Sequence, residues 1–237
     1  ARLLLARNGA ALNLSADLAL LSGGAGVATL SANYASRIGQ TEADFGVSFK
    51  DVAAGDIASQ GPAFAWLNVV RAPISGAVRS GLDPDGQFVP LNATLQIGAG
   101  VVQPNAETLP IPFDGARSYF SYDPAEKVLR FDDVSVDSQW VSAETTGTAV
   151  LGLTPNGKLR DLVGQVAIRN LRTNPDQMYE TPVALAGADV DFQLSLDPFH
   201  LQLGRLQISD QGKTLLLDGD LVAEPKGWRV ALDGRMD

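Results

Sequence analysis

Few residues in this chain have side chains that could do chemistry, and each sits in a setting that favours structure. His200 is the single histidine and no cysteine occurs, so thiolate zinc sites, cysteine nucleophiles and disulfides are absent from the inventory. A histidine acts as a base when a nucleophile and an orienting group are positioned around it. His200 stands in Asp197-Pro198-Phe199-His200-Leu201 with no serine motif nearby, and is expected to flank a turn. Asp132-Asp133 are adjacent carboxylates, but neighbours on a strand point to opposite faces, so a solvated bulge is expected rather than an acid–base pair. Asp83-Pro84-Asp85-Gly86 echoes the start of a calcium loop without the acidic residue that should close it. Ser22-Gly23-Gly24-Ala25-Gly26 has neither GK[ST] nor a following helix to cradle phosphate, and is expected to be a flexible loop. The sequons at Asn13 and Asn92 fall inside alternating strands. The chain is therefore expected not to be an enzyme, with no catalytic residue, no metal site and no cofactor.

Composition narrows the partners. Over 237 residues, 45% are hydrophobic, enough for a sizeable buried surface. The formal charge is −9, with no Lys/Arg cluster, which argues against nucleic acid. No apolar run is long enough for a transmembrane helix. The opening ARLLLARNGAALNL has no initiator Met or signal-peptide pattern, and GWRVALDGRMD starts a new alternating strand at the other end, so a piece of a longer protein is expected.

Most of the chain alternates apolar and polar residues with period two, the signature of half-buried strands. Leu12 to Leu20, Ala28 to Tyr34 and Ala43 to Phe49 give three successive strands. Periodicity fails over 51–70, where Pro62 followed by Ala63 to Val70 predicts one short helix, apolar on nearly all sides, that plugs or flanks a sheet face. Arg71 to Gly100 is a hairpin about Asp83-Pro84-Asp85-Gly86, with Pro set to start the turn and Gly free to close it at positive φ. Residues 104–112 are a connector. The x-Pro-x-Gly turn returns at Thr154-Pro155-Asn156-Gly157 and at Glu224-Pro225-Lys226-Gly227. Laying Gly115 to Leu151 over Gly187 to Ala223 matches Leu129-x-Phe131 to Leu201-x-Leu203, Val134-x-Val136 to Leu206-x-Ile208, and Gly147 to Gly219. The unit is a meander of about 70 residues, longer than ordinary solenoid repeats. The approximate units are 1–72, 73–146 and 147–220, with a further one starting over 221–237.

The fold expected is all-β with one short helix: an elongated, strongly twisted antiparallel sheet of repeating meanders folded into a taco-like groove. One short helix cannot cover so long an apolar face, so the sheet must fold over itself. A dozen or more strands at roughly 4.8 Å spacing give a trough on the order of 60 Å. The residues expected to line it are Phe45, Phe49, Ile74, Val78, Leu91, Leu95, Phe120, Tyr122, Leu129, Phe131, Phe192, Leu203 and Ile208, with Trp228 on the same parity.

PISGAVRSGLDPDGQFVPLNATLQIGAG, followed by PIPFDGARSYFSYDPAEKVLRFDDVSVDSQW, resembles the central region of the large AsmA-like envelope proteins of Gram-negative bacteria, in particular the YhdP-type branch. The resemblance covers roughly Phe45 to Leu151, and the flanks by pattern alone. It implies a periplasmic β-groove that moves phospholipid toward the outer membrane, an inner-membrane anchor outside this stretch of chain, and envelope protein partners at the exposed ends. The alternating pattern alone describes two molecules equally well: a groove open to acyl chains, and a structural or adhesive β-repeat with a closed dry core.

Overall fold

The computed structural model describes residues 1–22, 25–174, 180–210 and 213–236. Of the loop expected over 22–26, Ser22, Ala25 and Gly26 are instead in paired strand, with Ser22↔Ala25 and Leu21↔Gly26 carrying the ladder to the end of the hairpin, and residues 23 and 24 lie outside the described ones. The alternating segments form β1 (Arg2–Asn8), β2 (Ala11–Ser22), β3 (Ala25–Arg37) and β4 (Ala43–Ala53). After two short helical segments come β5 (Val70–Arg71), β6 (Pro73–Leu82), β7 (Leu91–Ile97), β8 (Gly100–Val102), β9 (Ile111–Phe113) and β10 (Gly115–Asp123). The rest is β11 (Val128–Asp137), β12 (Val141–Leu153), β13 (Leu159–Thr173), β14 (Val183–Leu196), β15 (Phe199–Asp210), β16 (Lys213–Glu224) and β17 (Gly227–Met236). Fourteen of these strands make one antiparallel sheet, ordered β1-β2-β3-β4-β6-β7-β10-β11-β12-β13-β14-β15-β16-β17 and not closed into a barrel. Each strand pairs with its predecessor in sequence, with two excursions that leave the sheet and return beside their starting point.

Register carries one apolar face through every strand, because directly paired residues share a face. Starting at Leu5, the pairs run Leu5↔Leu14↔Tyr34↔Phe45↔Ser80. In the middle they run Val47↔Val78↔Ala93↔Phe120↔Phe131↔Gly147↔Val166↔Val190. They continue Val190↔Leu206↔Leu217↔Gly234. Among the paired positions on this inner face, the charged residues fall at strand ends: Arg7 near the end of β1, and the Asp210↔Lys213 pair where β15 meets β16. The outer face is mainly polar, with Val150 and Val163 as an exposed apolar pair on it: Arg229 meets Asp220 and Glu224 at 3.1 Å each, and Ser31 donates to Asp17 at 2.7 Å.

The sequence period is also a period of register. Leu129↔Ala149, Phe131↔Gly147 and Val134↔Thr145 are followed, 72 residues on, by Leu201↔Leu221, Leu203↔Gly219 and Leu206↔Leu217. The β10–β11 and β14–β15 registers slip at the same offset, leaving Asp132 and Gly204 as the extra residues of two bulges. Asp132-Asp133 is thus the bulge that its parity predicted. Four strands separate the β6–β7 turn from the β12–β13 turn, and four more separate that from the β16–β17 turn. Gly86 and Gly157 close their turns at φ 78° and 79°, as expected, but in the third turn Lys226 takes the positive φ, at 66°. The reason is loop length. Glu224 pairs directly with Gly227, leaving Pro225-Lys226 as a two-residue turn, whereas Asp83 and Thr154 bond across to Gln87 and Lys158, one residue further.

Gly147 lies on the inner face where β12 and β13 crowd. A Cβ there would overlap the Gln165 carbonyl oxygen and come within 2.7 Å of Val166 Cα. Gly147→Val is expected to lower stability by about 1–3 kcal/mol, read as a lower urea midpoint at unchanged slope.

The two excursions form a plug on the inner face. Between β4 and β6 run a helical turn, α1 (Ala54–Ala58), and a 3-10 segment at Pro62–Val69. The single helix expected after Pro62 is therefore this 3-10 run, joined by a second helical segment whose Gly55 and short length hid it. The 3-10 run keeps no amphipathic stripe because it is enclosed: Ala63, Phe64 and Leu67 are buried. Between β7 and β10 the chain adds β8 and β9, which pair with β5 in a separate three-stranded sheet.

Candidate functional site: an apolar inner face with a built-in plug

All thirteen residues expected to line a groove lie on the inner face, by register. They do not share one environment. Ile74, Leu95, Phe120 and Leu129 are at most 2% exposed and belong to the cluster that packs under the plug. Phe120 meets Phe64 and Trp66 edge-on, both at 6.0 Å, and Phe131 at 6.2 Å; Trp66 also meets Phe131 at 6.2 Å. These four residues face protein. Phe49, Val78, Leu91, Tyr122, Phe131 and Phe192 are half-buried at the margin of the same cluster. Phe45, Leu203 and Ile208 are half-buried outside it, with Phe45 edge-on to Phe88 at 6.2 Å. Burial, and secondarily the Asp123 carboxylate, raises the Tyr122 pKa above its usual 10.0, so the phenol stays a neutral donor through the physiological range.

Beyond the plug the inner face is open. At one end Leu3 is 71% exposed and Leu20 47%; at the other Val230 is 60% exposed and Leu232 51%. Between β11 and β14 the exposed residues Val136, Val141 and Val183 follow one another across the pairs Val136↔Ala143 and Val141↔Thr173↔Val183.

The connector expected over 104–112 proves to be a strap. From β8 it reaches the tip of the β16–β17 hairpin, six sheet positions from β10. Lys226 N–H donates to Glu107 O at 2.8 Å, and Trp228 Nε1 donates to Leu109 O at 2.7 Å. Thr108, 1% exposed, donates from Oγ1 toward Asn105 Oδ1 at 3.0 Å and Glu224 O at 3.2 Å. Sequence reasoning passed over this segment because it has no periodicity, and the latch joins residues more than a hundred positions apart. The one local signal was Asn105, whose side chain caps the Glu107 and Thr108 amides.

The residues singled out for chemistry stay apart. His200 opens β15 on the outer face, 3.8 Å from Asp220. Asp83 accepts from its own turn amides at Asp85 and Gln87. Asn13 and Asn92 lie on the outer face. Among the described residues no group of three or more acidic, His or Cys side chains could hold a metal, and no helix is long and apolar enough to cross a membrane. Comparison with protein-family models, with curated proteins and with solved structures found no match.

Proposed function

We propose that this chain is a lipid-conduit segment: phospholipid acyl chains lie against the inner face while headgroups stay at the open seam in water. The observation that carries this reading is an apolar face continuous across fourteen strands whose two ends remain exposed, with large side chains such as Leu3 and Val230 more than half in solvent. Contiguous exposed apolar surface of that extent marks an interaction site. Nonpolar burial at about 25 cal/mol per Å2 suffices to hold acyl chains without any reactive group. In this reading the segment belongs to an AsmA-like protein, works in the periplasm between inner and outer membranes, and is tethered through an anchor outside these residues. The unpaired outer edges of β1 and β17 are where further envelope proteins or further sheet would join.

A second reading, a structural β-repeat with a closed dry core, is favoured by the plug, since Ile74, Leu95, Phe120 and Leu129 are already covered by the chain itself. Native mass spectrometry and lipid extraction of the purified chain decide between them. The conduit reading expects co-purifying phospholipid and a thermal midpoint that rises when lipid is added; a chain free of lipid, with a midpoint that lipid does not move, leaves the structural repeat.

A further inference from the structure

Near its end the β2–β3 hairpin carries large apolar side chains left open to solvent: Leu18, Leu20, Leu21 and Val27 are 41–67% exposed. They occupy both faces of the ribbon. Leu18 and Leu20 lie on the inner face, and Leu21, the next residue along the strand, lies on the outer. Val27 is the extra residue of a bulge between the pairs Leu20↔Ala28 and Leu21↔Gly26. From Leu18 to Ser36 the sequence has no charged residue. Thr29↔Lys50 is the last pair with β4, so among the described residues this end of the hairpin has no neighbouring strand on that side. A two-stranded ribbon is marginal in water, and apolar surface on both of its faces adds to the cost. The opposite rim of the sheet differs. In an antiparallel meander alternate turns fall on one rim, so the β6–β7, β10–β11, β12–β13 and β16–β17 turns all lie at the rim away from this end. They carry Asp83 and Asp85, Glu126 and Lys127, Lys158, and Lys226, charges that belong in water.

We propose that the apolar end of the β2–β3 hairpin, with Leu18, Leu20, Leu21 and Val27, inserts into the interfacial layer of a lipid bilayer. A protein groove would cover one face of the ribbon and leave the other in water, whereas a bilayer surrounds both faces with the same apolar medium. The insertion is shallow. The β3 edge that β4 leaves unpaired carries free backbone groups, which hydrocarbon does not tolerate, so the side chains reach the acyl boundary while the strands stay among hydrated headgroups. Charge does not drive the contact, because these residues carry none and the chain as a whole, at −9, is repelled by anionic lipid. The pairs Leu18↔Leu30↔Phe49 join this end of the hairpin to the rest of the inner face, so insertion sets one end of that face against the bilayer. The contact stands independently of whether the inner face carries acyl chains.

The test floats the unaltered chain with phosphatidylcholine vesicles at low and at high salt. Binding is expected at both, with little difference, because nonpolar burial is not screened. Leu21→Asp should weaken it about tenfold or more. Leu21 points away from the groove and is 67% exposed, so lipid held on the inner face and the thermal midpoint should not change in that variant. The absence of cysteine allows a single polarity-sensitive dye to be placed at will. Attached at Val27→Cys, its emission should shift to the blue when vesicles are added; attached at Ala125→Cys, in the β10–β11 turn of the far rim, it should not. No flotation, equal flotation of Leu21→Asp, or a shift at Ala125→Cys as large as at Val27→Cys overturns the proposal. A blue shift at Val27→Cys that grows with protein concentration and needs no vesicles also overturns it, since a second copy then covers the hairpin. Vesicle binding without co-purifying phospholipid supports the membrane contact and removes the conduit; co-purifying phospholipid without vesicle binding overturns the contact and leaves the conduit.

Discussion

Phe120→Ala is expected to lower the stability of the chain by about 3–5 kcal/mol, the range for deleting a large aromatic from a packed core. Phe120 is 2% exposed and is the ring on which the plug closes, edge-on to Phe64 and Trp66 at 6.0 Å each. Removing it takes away the shared partner of both plug aromatics and leaves a void that the sheet cannot fill, because β7 and β11 hold their backbones by ladder hydrogen bonds on either side. The loss should be local before it is global. Amide exchange over 54–69 should accelerate more than in β2 or β15, since the 3-10 segment has few internal bonds and depends on this packing. Leu232→Ala is the matched control: at 51% exposure it should shift stability by no more than about 0.5 kcal/mol. A Phe120→Ala change below about 1 kcal/mol, or uniform acceleration of exchange, would show that the plug is not anchored there.

The inner face was legible because strand periodicity is an even signal. Once Leu91, Leu95 and Phe131 alternate with polar neighbours, the pleat leaves them one side to occupy, and register does the rest. The Asp132 bulge was legible for the same reason, since Phe131 and Val134 change parity across it. Its counterpart Gly204 is the identical event 72 residues later and was visible in the same alignment. What periodicity could not show was cover. Phe64, Trp66 and Leu67 belong to a segment without a regular apolar period, and whether Ile74 and Leu129 face solvent or that segment is set by contacts between residues far apart in sequence. The strap is harder still: Thr108 looks like an ordinary loop threonine until Glu224 is brought to it. Binary pattern thus fixes the side of the sheet on which a residue lies, and tertiary packing decides what it meets there.

That division sets the sharpest test of the conduit. Leu20→Asp and Leu232→Asp, at opposite ends of the inner face, are each expected to reduce co-purifying phospholipid by about tenfold or more. A fully exposed leucine contributes about 1.5–3 kcal/mol when wholly covered, so one already half buried contributes about half of that to an acyl chain, roughly three- to tenfold in affinity. A carboxylate in its place must also be desolvated under the chain, so loss exceeds that of simple truncation. Both sites are about half exposed in the free chain, at 47% and 51%, so neither substitution removes a packed core residue, and unfolding midpoints should barely move. The same charge on the outer face is the control. Val150 and Val163 pair across β12 and β13 at 52% and 48% exposure, pointing away from the groove, so Val163→Asp should leave bound lipid unchanged. Equal lipid retention in the inner- and outer-face variants would mean that the exposed apolar ends are surfaces for protein rather than for acyl chains. A loss confined to Leu20→Asp or to Leu232→Asp would divide the face at the plug, because Ile74, Leu95, Phe120 and Leu129 are already occupied by it and a chain entering from one end would stop there.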